Sequence, residues 1–195
     1  MLLKNPLNLS IIRVTLVSPA FAVGEEHNIM RPIQSFFDYQ DDYATCHSTY
    51  ATLCIYLPEG GDPAALSEKL GLRPSRTQIK GEVLHGKLKN WPSAWFLETQ
   101  GKVETNELRQ HIDWLLDQVE DKAEVIQTIQ AEGAEVHLSC FWVSAFGHGG
   151  PMLDQYILKR LARLNIGISF DIYFAGNEID EAFDHAPHSD NEPGS

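Results

Sequence analysis

Cysteine and histidine are the side chains in this sequence that most readily bind metals or act as nucleophiles. The chain contains three cysteines, Cys46, Cys54 and Cys140, and eight histidines. Such ligands hold zinc when they converge tetrahedrally, and His137 lies close to Cys140 in sequence. The spacing matches no recognised ligand pattern, and residues three apart on a strand face opposite sides of it. The sequence therefore predicts no metal site.

A catalytic nucleophile needs a thiolate or an activated hydroxyl with a base beside it. Cys54 and Cys140 lie inside predicted strands, where a thiol usually fills apolar space. No serine occupies a Gly-x-Ser-x-Gly elbow. We therefore expect no catalytic residues and no cofactor, and a non-enzyme is favoured. An odd number of cysteines without CxxC spacing indicates reduced thiols, which is typical of a cytoplasmic protein.

A glycine-rich segment, Gly147-His148-Gly149-Gly150-Pro151, precedes a predicted helix; we call it the glycine loop. Backbone N–H groups ahead of a helix can hold an anion. The segment lacks the Gly-Lys-Ser ending of a phosphate-binding loop and the glycine spacing of a dinucleotide site. A plain strand-to-helix turn is therefore the favoured interpretation, and anion binding is the alternative.

The one basic stretch comprises Arg73, Arg76, Lys80, Lys87 and Lys89. It could receive a phosphate or an acidic partner, but the solvated face of a hairpin is the favoured interpretation. The chain as a whole carries a formal charge of −12, and residues 175–195 hold six acids and no Lys or Arg. This balance predicts no binding to nucleic acid or to a membrane, because phosphate contacts need clustered basic residues.

Hydrophobic periodicity predicts one α+β domain over residues 45–175. Strands and helices alternate in the order β-α-β-β-α-β-α-β, a ferredoxin-like order extended by an α-β pair. Each helix has a single apolar stripe, so helices should cover one face of a mixed, mostly antiparallel sheet. Residues 1–44 are expected to be poorly structured and residues 176–195 to form a disordered acidic tail. The first residues lack the apolar run of a signal peptide, and Met30 offers an alternative translation start.

The sheet should have an open face on the side away from the helices. Alternation in the first and last predicted strands sends Thr52, Tyr56, Asp171 and Tyr173 to this face, near Cys54 and Ser169. Mixed aromatic and polar groups are typical of recognition surfaces. An equally weighted alternative is that the N-terminal segment folds over the face with its aromatic residues, Phe36, Phe37 and Tyr39.

Three ordered segments resemble a known family. They are residues 70–77 (LGLRPSRT) running on to Lys80-Gly81-Glu82, residues 140–144 (CFWVS) with the glycine loop, and residues 161–173 (LARLNIGISFDIY). Their order and spacing are similar to the bacterial proteins grouped as domain of unknown function 4279, over about residues 48–175. The resemblance implies a bacterial cytoplasmic α+β domain. It implies no activity, cofactor or site residue, because none is established for the family.

Two functional hypotheses follow. The first is a non-enzymatic protein-binding domain, of which an immunity-type inhibitor of a basic toxin is one form, since charge complementarity speeds capture. The second is an enzyme or a protein that binds a small ligand or anion through the glycine loop. The partner and the oligomeric state cannot be deduced from the residues.

Overall fold

The computed structural model describes residues 12–16, 39, 43–84, 87–88 and 90–174. Its eight strands are β1 (Ile12–Leu16), β2 (Cys46–Tyr56), β3 (Arg76–Gln78), β4 (Val83–Leu84), β5 (Lys87–Leu88), β6 (Ala94–Glu98), β7 (Glu135–Ser144) and β8 (Gly167–Phe174). Its four α-helices are α1 (Pro63–Leu70), α2 (Leu108–Val119), α3 (Ala123–Ala131) and α4 (Gln155–Arg163).

Six of the strands form one mixed sheet in the order β1-β8-β7-β2-β6-β3. Every neighbouring pair is antiparallel except β7 and β8, which run parallel because helix α4 crosses between them. Strands β4 and β5 form a separate hairpin. The predicted α+β class with a mostly antiparallel sheet is confirmed. The exact ferredoxin-like order remains a prediction, since β1, this hairpin and helix α3 are added to it.

Helix boundaries follow from local capping chemistry. Helix α1 begins after Asp62, whose carboxylate accepts a hydrogen bond from Ala64 N at 2.9 Å. It ends at Gly71, which adopts φ 63° and so closes the helix in the left-handed conformation that glycine tolerates best. Helix α4 begins after Asp154, whose Oδ1 accepts from the backbone N–H groups of Tyr156 and Ile157. These caps fix where each helix starts over the sheet.

The core lies between the helices and one face of the sheet. Alternate residues of the two central strands point into it: Ala51, Leu53 and Ile55 from β2, and Val136, Leu138, Cys140 and Trp142 from β7. Strand β8 adds Ile168 and Phe170, while α1, α2, α3 and α4 supply apolar stripes to the same cluster. The predicted phase of β2 and β8 is confirmed, and the helices cover one face of the sheet as expected.

Two arginines are buried within the helix layer, which the sequence analysis did not anticipate. The Arg109 guanidinium is paired with Glu107 at 2.9 Å and with Asp154 at 3.4 Å, and all three side chains are almost completely buried. Arg160 on α4 reaches Asp113, Asp117 and Glu120. Buried charges of this kind persist only when they are paired and hydrogen-bonded. These networks tie α2 to α4 and to the segment that precedes α4.

The N-terminal segment contains one element that the sequence analysis missed. Strand β1 pairs antiparallel with β8 at residues 12–16, and the expectation that residues 1–44 are poorly structured remains a prediction. Tyr39 lies against Arg109, whose guanidinium carbon is 5.0 Å from the ring centroid, on the helix side of the molecule. Phe36, Phe37 and the tail 176–195 lie outside the described residues. Within the described part of the chain, no helix is long and apolar enough to cross a membrane.

Candidate functional site

The open face of the sheet forms a concavity of about 540 Å³. It is lined by alternate residues of five neighbouring strands, which are those that point away from the helices. All four residues that the sequence placed there line it: Thr52, Tyr56, Asp171 and Tyr173, together with Cys54 and Ser169. The lining also includes residues that sequence reasoning did not assign: Tyr50, Arg76, Phe96, Glu98, His137, Ser139 and Phe141.

Aromatic rings occupy both ends of the concavity. At one end, Tyr56 stacks on His137 with ring centroids 5.5 Å apart and meets the edge of Phe96 at 5.8 Å. At the other end, Phe141 stacks on Tyr50 at 4.8 Å and contacts Tyr173 at 5.2 Å. Cross-strand aromatic pairs of this kind stabilise a sheet modestly. They also hold large amphipathic rings in fixed positions on a face that no described helix covers.

Hydroxyl groups lie between the two aromatic ends. Ser169, Ser139 and Thr52 are direct neighbours across β8, β7 and β2. The Ser169 hydroxyl donates weakly to Leu138 O at 3.4 Å. Hydroxyls can both donate and accept, so this row can meet either kind of polar group on a ligand. The middle of the concavity is therefore polar, and its ends are aromatic.

Three charged side chains line the concavity. Arg76 Nε donates to Glu98 Oε1 at 2.8 Å, and the Arg76 guanidinium carbon lies 3.6 Å from the centroid of Phe96. The ring and the carboxylate together hold this guanidinium in place. Asp171, at the other end, forms no ion pair with any side chain that the structure describes. Burial raises the pKa of the Tyr50 hydroxyl, and the negative charges of Glu98 and Asp171 act in the same direction.

The strand register brings one cysteine and one histidine together on this face. Cys54 and His137 are direct cross-strand partners, whereas Cys140 points into the core, as the three-residue spacing from His137 predicts. Burial raises the pKa of the Cys54 thiol to about 12, and its sulfur lies 3.6 Å from Thr52 O. Because the thiolate is the nucleophile, this cysteine is protonated and unreactive at neutral pH.

The glycine loop is organised by contacts within the protein. The Ser144 hydroxyl donates to His148 O at 2.7 Å. A Cβ built on Gly149, whose φ is 87°, would lie 2.9 Å from Thr45 Oγ1, so this glycine permits close packing. The N-terminus of α4 is already occupied by the Asp154 carboxylate. The helix-terminus part of the anion-binding hypothesis thus has no support in the geometry of Gly147, His148, Gly149 and Gly150.

The three members of the basic stretch whose side chains the structure describes, Arg73, Arg76 and Lys80, do not form one surface; Lys89 and the side chain of Lys87 lie outside the described part. Arg76 is paired with Glu98 on the open face, and Lys80 is paired with Glu59 at 2.9 Å. Arg73 lies apart, beside a groove that also contains Lys102 and Trp114. Internal carboxylates partly neutralise two of these three residues, Arg76 and Lys80, which weakens their case as an anion site.

The sequence contains a signal that the open-face residues of β7 lie on one side of a strand. Val136, Leu138, Cys140 and Trp142 alternate with His137, Ser139 and Phe141, which is the pattern of a strand with one covered face. The interior of this strand contains so few polar residues that the sequence alone distinguishes its two faces poorly. Tyr50 belongs to β2, which begins at Cys46. Its place on the face follows from the same period-two rule.

Comparison with known proteins gives one match. No curated protein and no solved structure matches the chain. A model of the family described as Domain of unknown function (DUF4279) matches residues 47–175, which include every residue that lines the concavity. The chain therefore belongs to the DUF4279 family of domains of unknown function.

Proposed function

We propose that the chain is a binding protein that holds a protein partner on the open face of its sheet. The observation that carries this proposal is the composition of the concavity. Among its thirteen lining residues, five are tyrosine or phenylalanine and only three are charged. A merely solvated sheet face would instead carry charged and small polar side chains, whereas protein interfaces are rich in tyrosine and phenylalanine and poor in lysine and glutamate at their centre.

The preorganisation of these rings supports the same proposal. Tyr50, Tyr56, Phe141 and Tyr173 are half-buried or partly exposed, and each contacts another ring across the strands. Side chains that are already held lose little rotamer freedom when a partner binds. Such anchors often account for most of the binding free energy of an interface.

The charge of the chain favours a basic partner. The formal charge is −12, and the excess of acids is concentrated towards the C-terminus. Long-range attraction raises the association rate for a positively charged protein and falls with added salt. Neutralisation of a basic toxin, as in an immunity-type protein, is one form of this function. A toxin gene beside the gene for this chain would favour that form.

A small ligand in the same concavity is the second candidate. A volume of about 540 Å³ is within the range typical of small-molecule sites. If this site were catalytic, the cross-strand pair Cys54 and His137 would be the candidate nucleophile and base. However, a thiol whose pKa is raised to about 12 is a poor nucleophile. The glycine loop remains the alternative anion site. A thermal-shift screen with metabolites tests this candidate directly.

The protein-binding proposal is tested by capture and titration. Wild-type protein, Tyr56→Ala and Tyr173→Ala are used as baits in extracts of the organism that encodes the chain. Tyr156→Ala on helix α4 is the matched control, since it removes the same ring from the helix side. A protein enriched by wild type is then purified and titrated. We expect each open-face variant to weaken its affinity by more than about tenfold, while the control binds normally. Equal affinities for all four proteins would reject the open face as the binding site.

A further inference from the structure

At two places on the open face, aromatic rings lie close to a carboxylate. At one of these places, a guanidinium group of the protein itself contacts both the ring and the carboxylate. At the end formed by β3 and β6, the Arg76 guanidinium lies over Phe96 and donates to Glu98. This arrangement combines stacking on a ring with a charge-assisted hydrogen bond. It shows directly how this sheet face holds a guanidinium group.

The other end repeats the same chemistry on β2, β7 and β8. Phe141 lies between Tyr50 and Tyr173, with centroid distances of 4.8 Å and 5.2 Å. Asp171 is the direct cross-strand neighbour of Phe141 and lies two residues from Tyr173 on β8. We call these four residues the aromatic-carboxylate cluster. All four are partly accessible to solvent.

The side chains that the structure describes around the cluster leave one negative charge unpaired, that of Asp171. Arg76 is the only lysine or arginine among the described residues that line the concavity, and it is paired with Glu98. Asp171 has no ion pair with any side chain that the structure describes, and these do not include the side chain of Arg13. The charges of Glu98 and Asp171 both raise the pKa of Tyr50, which indicates that both carboxylates act at this ring. A cation placed here would reduce the repulsion between them.

We propose that the aromatic-carboxylate cluster binds a basic side chain of the protein partner, with arginine preferred over lysine. The inference rests on the proposed function and names the chemistry of the contact. Arginine is preferred because its planar guanidinium can stack on a ring while donating two hydrogen bonds to a carboxylate. The compact, strongly hydrated lysine ammonium does neither as well. The arrangement at Arg76 supplies the precedent within the same face.

Strand β1 supplies an alternative source of the cation within the chain. The register of β1 and β8 sets Arg13 opposite Asp171. If the Arg13 side chain occupied the cluster, an external guanidinium would bind only after its removal. The test therefore includes Arg13→Gln, which keeps a polar side chain of similar length without the charge.

The experiment uses the full chain and a small probe, N-acetyl-L-arginine methylamide, followed by nuclear magnetic resonance of the aromatic side chains. We expect saturable shifts at Tyr50, Phe141 and Tyr173. The uncharged citrulline analogue should bind at least about tenfold more weakly, because it cannot form a charge-assisted contact. The lysine analogue should fall between them, and added salt should weaken the arginine probe.

Variants assign the contact to its residues. Asp171→Asn should weaken the arginine probe by about fivefold or more, since it removes the charge and keeps the shape. Asp121→Asn makes the same change on the helix side, where the side chain is exposed, and should leave binding unchanged. Thermal unfolding of both variants checks that the fold is intact. Arg13→Gln should bind the probe as wild type does.

Several results would overturn the inference. Equal binding of the arginine and citrulline probes, or no effect of Asp171→Asn, would remove the charge contact. Probe binding by Arg13→Gln alone would mean that the chain fills its own cluster. The absence of saturable shifts in both wild type and Arg13→Gln would also reject the inference. In each case the open face still stands as the binding site if the titrated partner depends on Tyr56 and Tyr173. If that dependence is also absent, both proposals fail.

Discussion

The two faces of this sheet are built from alternate residues of the same strands, yet they do different things. On the covered face, Leu53 and Leu138 are fully buried beneath the helices. On the open face, their neighbours Thr52 and Ser139 line a concavity beside half-buried aromatic rings. Because the period of a strand is two, one set of positions can secure the fold while the other remains free for recognition.

The treatment of charge makes the contrast sharper. Arg109 lies in the helix layer with two buried carboxylates, whereas Arg76 is paired with Glu98 on the open face and about half of its side chain is exposed. Removing one partner of a buried pair leaves an uncompensated charge, but an exposed pair contributes little to stability. The predictions below test this difference between the faces, beginning with the largest expected effect.

Arg109→Met should lower the free energy of unfolding by about 3–5 kcal/mol, because Glu107 and Asp154 would remain buried without their cation. Arg76→Met makes the same substitution on the open face and should cost less than about 1 kcal/mol. Urea denaturation measures both. Similar losses for the two variants would show that the faces do not differ in how they hold charge.

Leu138→Ala should cost about 2–5 kcal/mol, since it leaves a cavity beneath the helices. Ser139→Ala, one residue along the same strand, should cost less than about 1 kcal/mol, as its hydroxyl faces the open concavity. The same denaturation experiment compares them. A loss at position 139 as large as that at position 138 would contradict the assignment of the two faces.

Asp113 gives the helix layer a pH dependence. Burial raises the pKa of this carboxyl to about 6, although Arg160 nearby acts in the opposite direction. The folded state therefore favours the protonated form, and the stability that this group contributes is present below its ordinary value of 3.8 and lost as the pH rises through about 6. The difference between these two pKa values corresponds to at most about 3 kcal/mol in the free energy of unfolding.

This prediction is tested by comparing the free energy of unfolding of wild type with that of Asp113→Asn at pH 4.5 and pH 7.5. Asparagine cannot ionise, so the variant should gain stability relative to wild type as the pH rises. Asp117, Glu120 and Asp154 lie in the same region and are the same in both proteins, so the difference isolates Asp113. A difference that does not change with pH would mean that Arg160 keeps Asp113 ionised throughout.

The smallest effect concerns the glycine loop. Gly149→Ala should cost about 1–2 kcal/mol, because the residue has a positive φ and its new Cβ would press against Thr45. Gly150→Ala meets nothing within 4 Å and should be nearly neutral. Thermal unfolding distinguishes the two variants. If neither variant changes stability, the glycines are not there for packing, and the anion-binding hypothesis regains weight.

The sequence predicted the sheet, its helices and the phase of β2 and β8, because alternation and helical spacing are local signals. It missed Arg109 and Arg160, since a buried charge is recognisable only once its partners, such as Asp154, are brought close by the fold. The cluster around Phe141 was also missed. Its members come from three strands, and only the register sets Phe141 beside Asp171 and Tyr50.

Hydroxyl-radical footprinting of the complex with the titrated partner tests the central claim most directly. Aromatic side chains react readily with the radical, and they occur on both sides of the molecule. Tyr50, Tyr56 and Tyr173 should lose reactivity when the partner is bound, whereas Tyr156 on helix α4 and the exposed Phe146 in the segment after β7 should not. Protection of Tyr156 or Phe146, with unchanged oxidation of the three open-face tyrosines, would contradict the account.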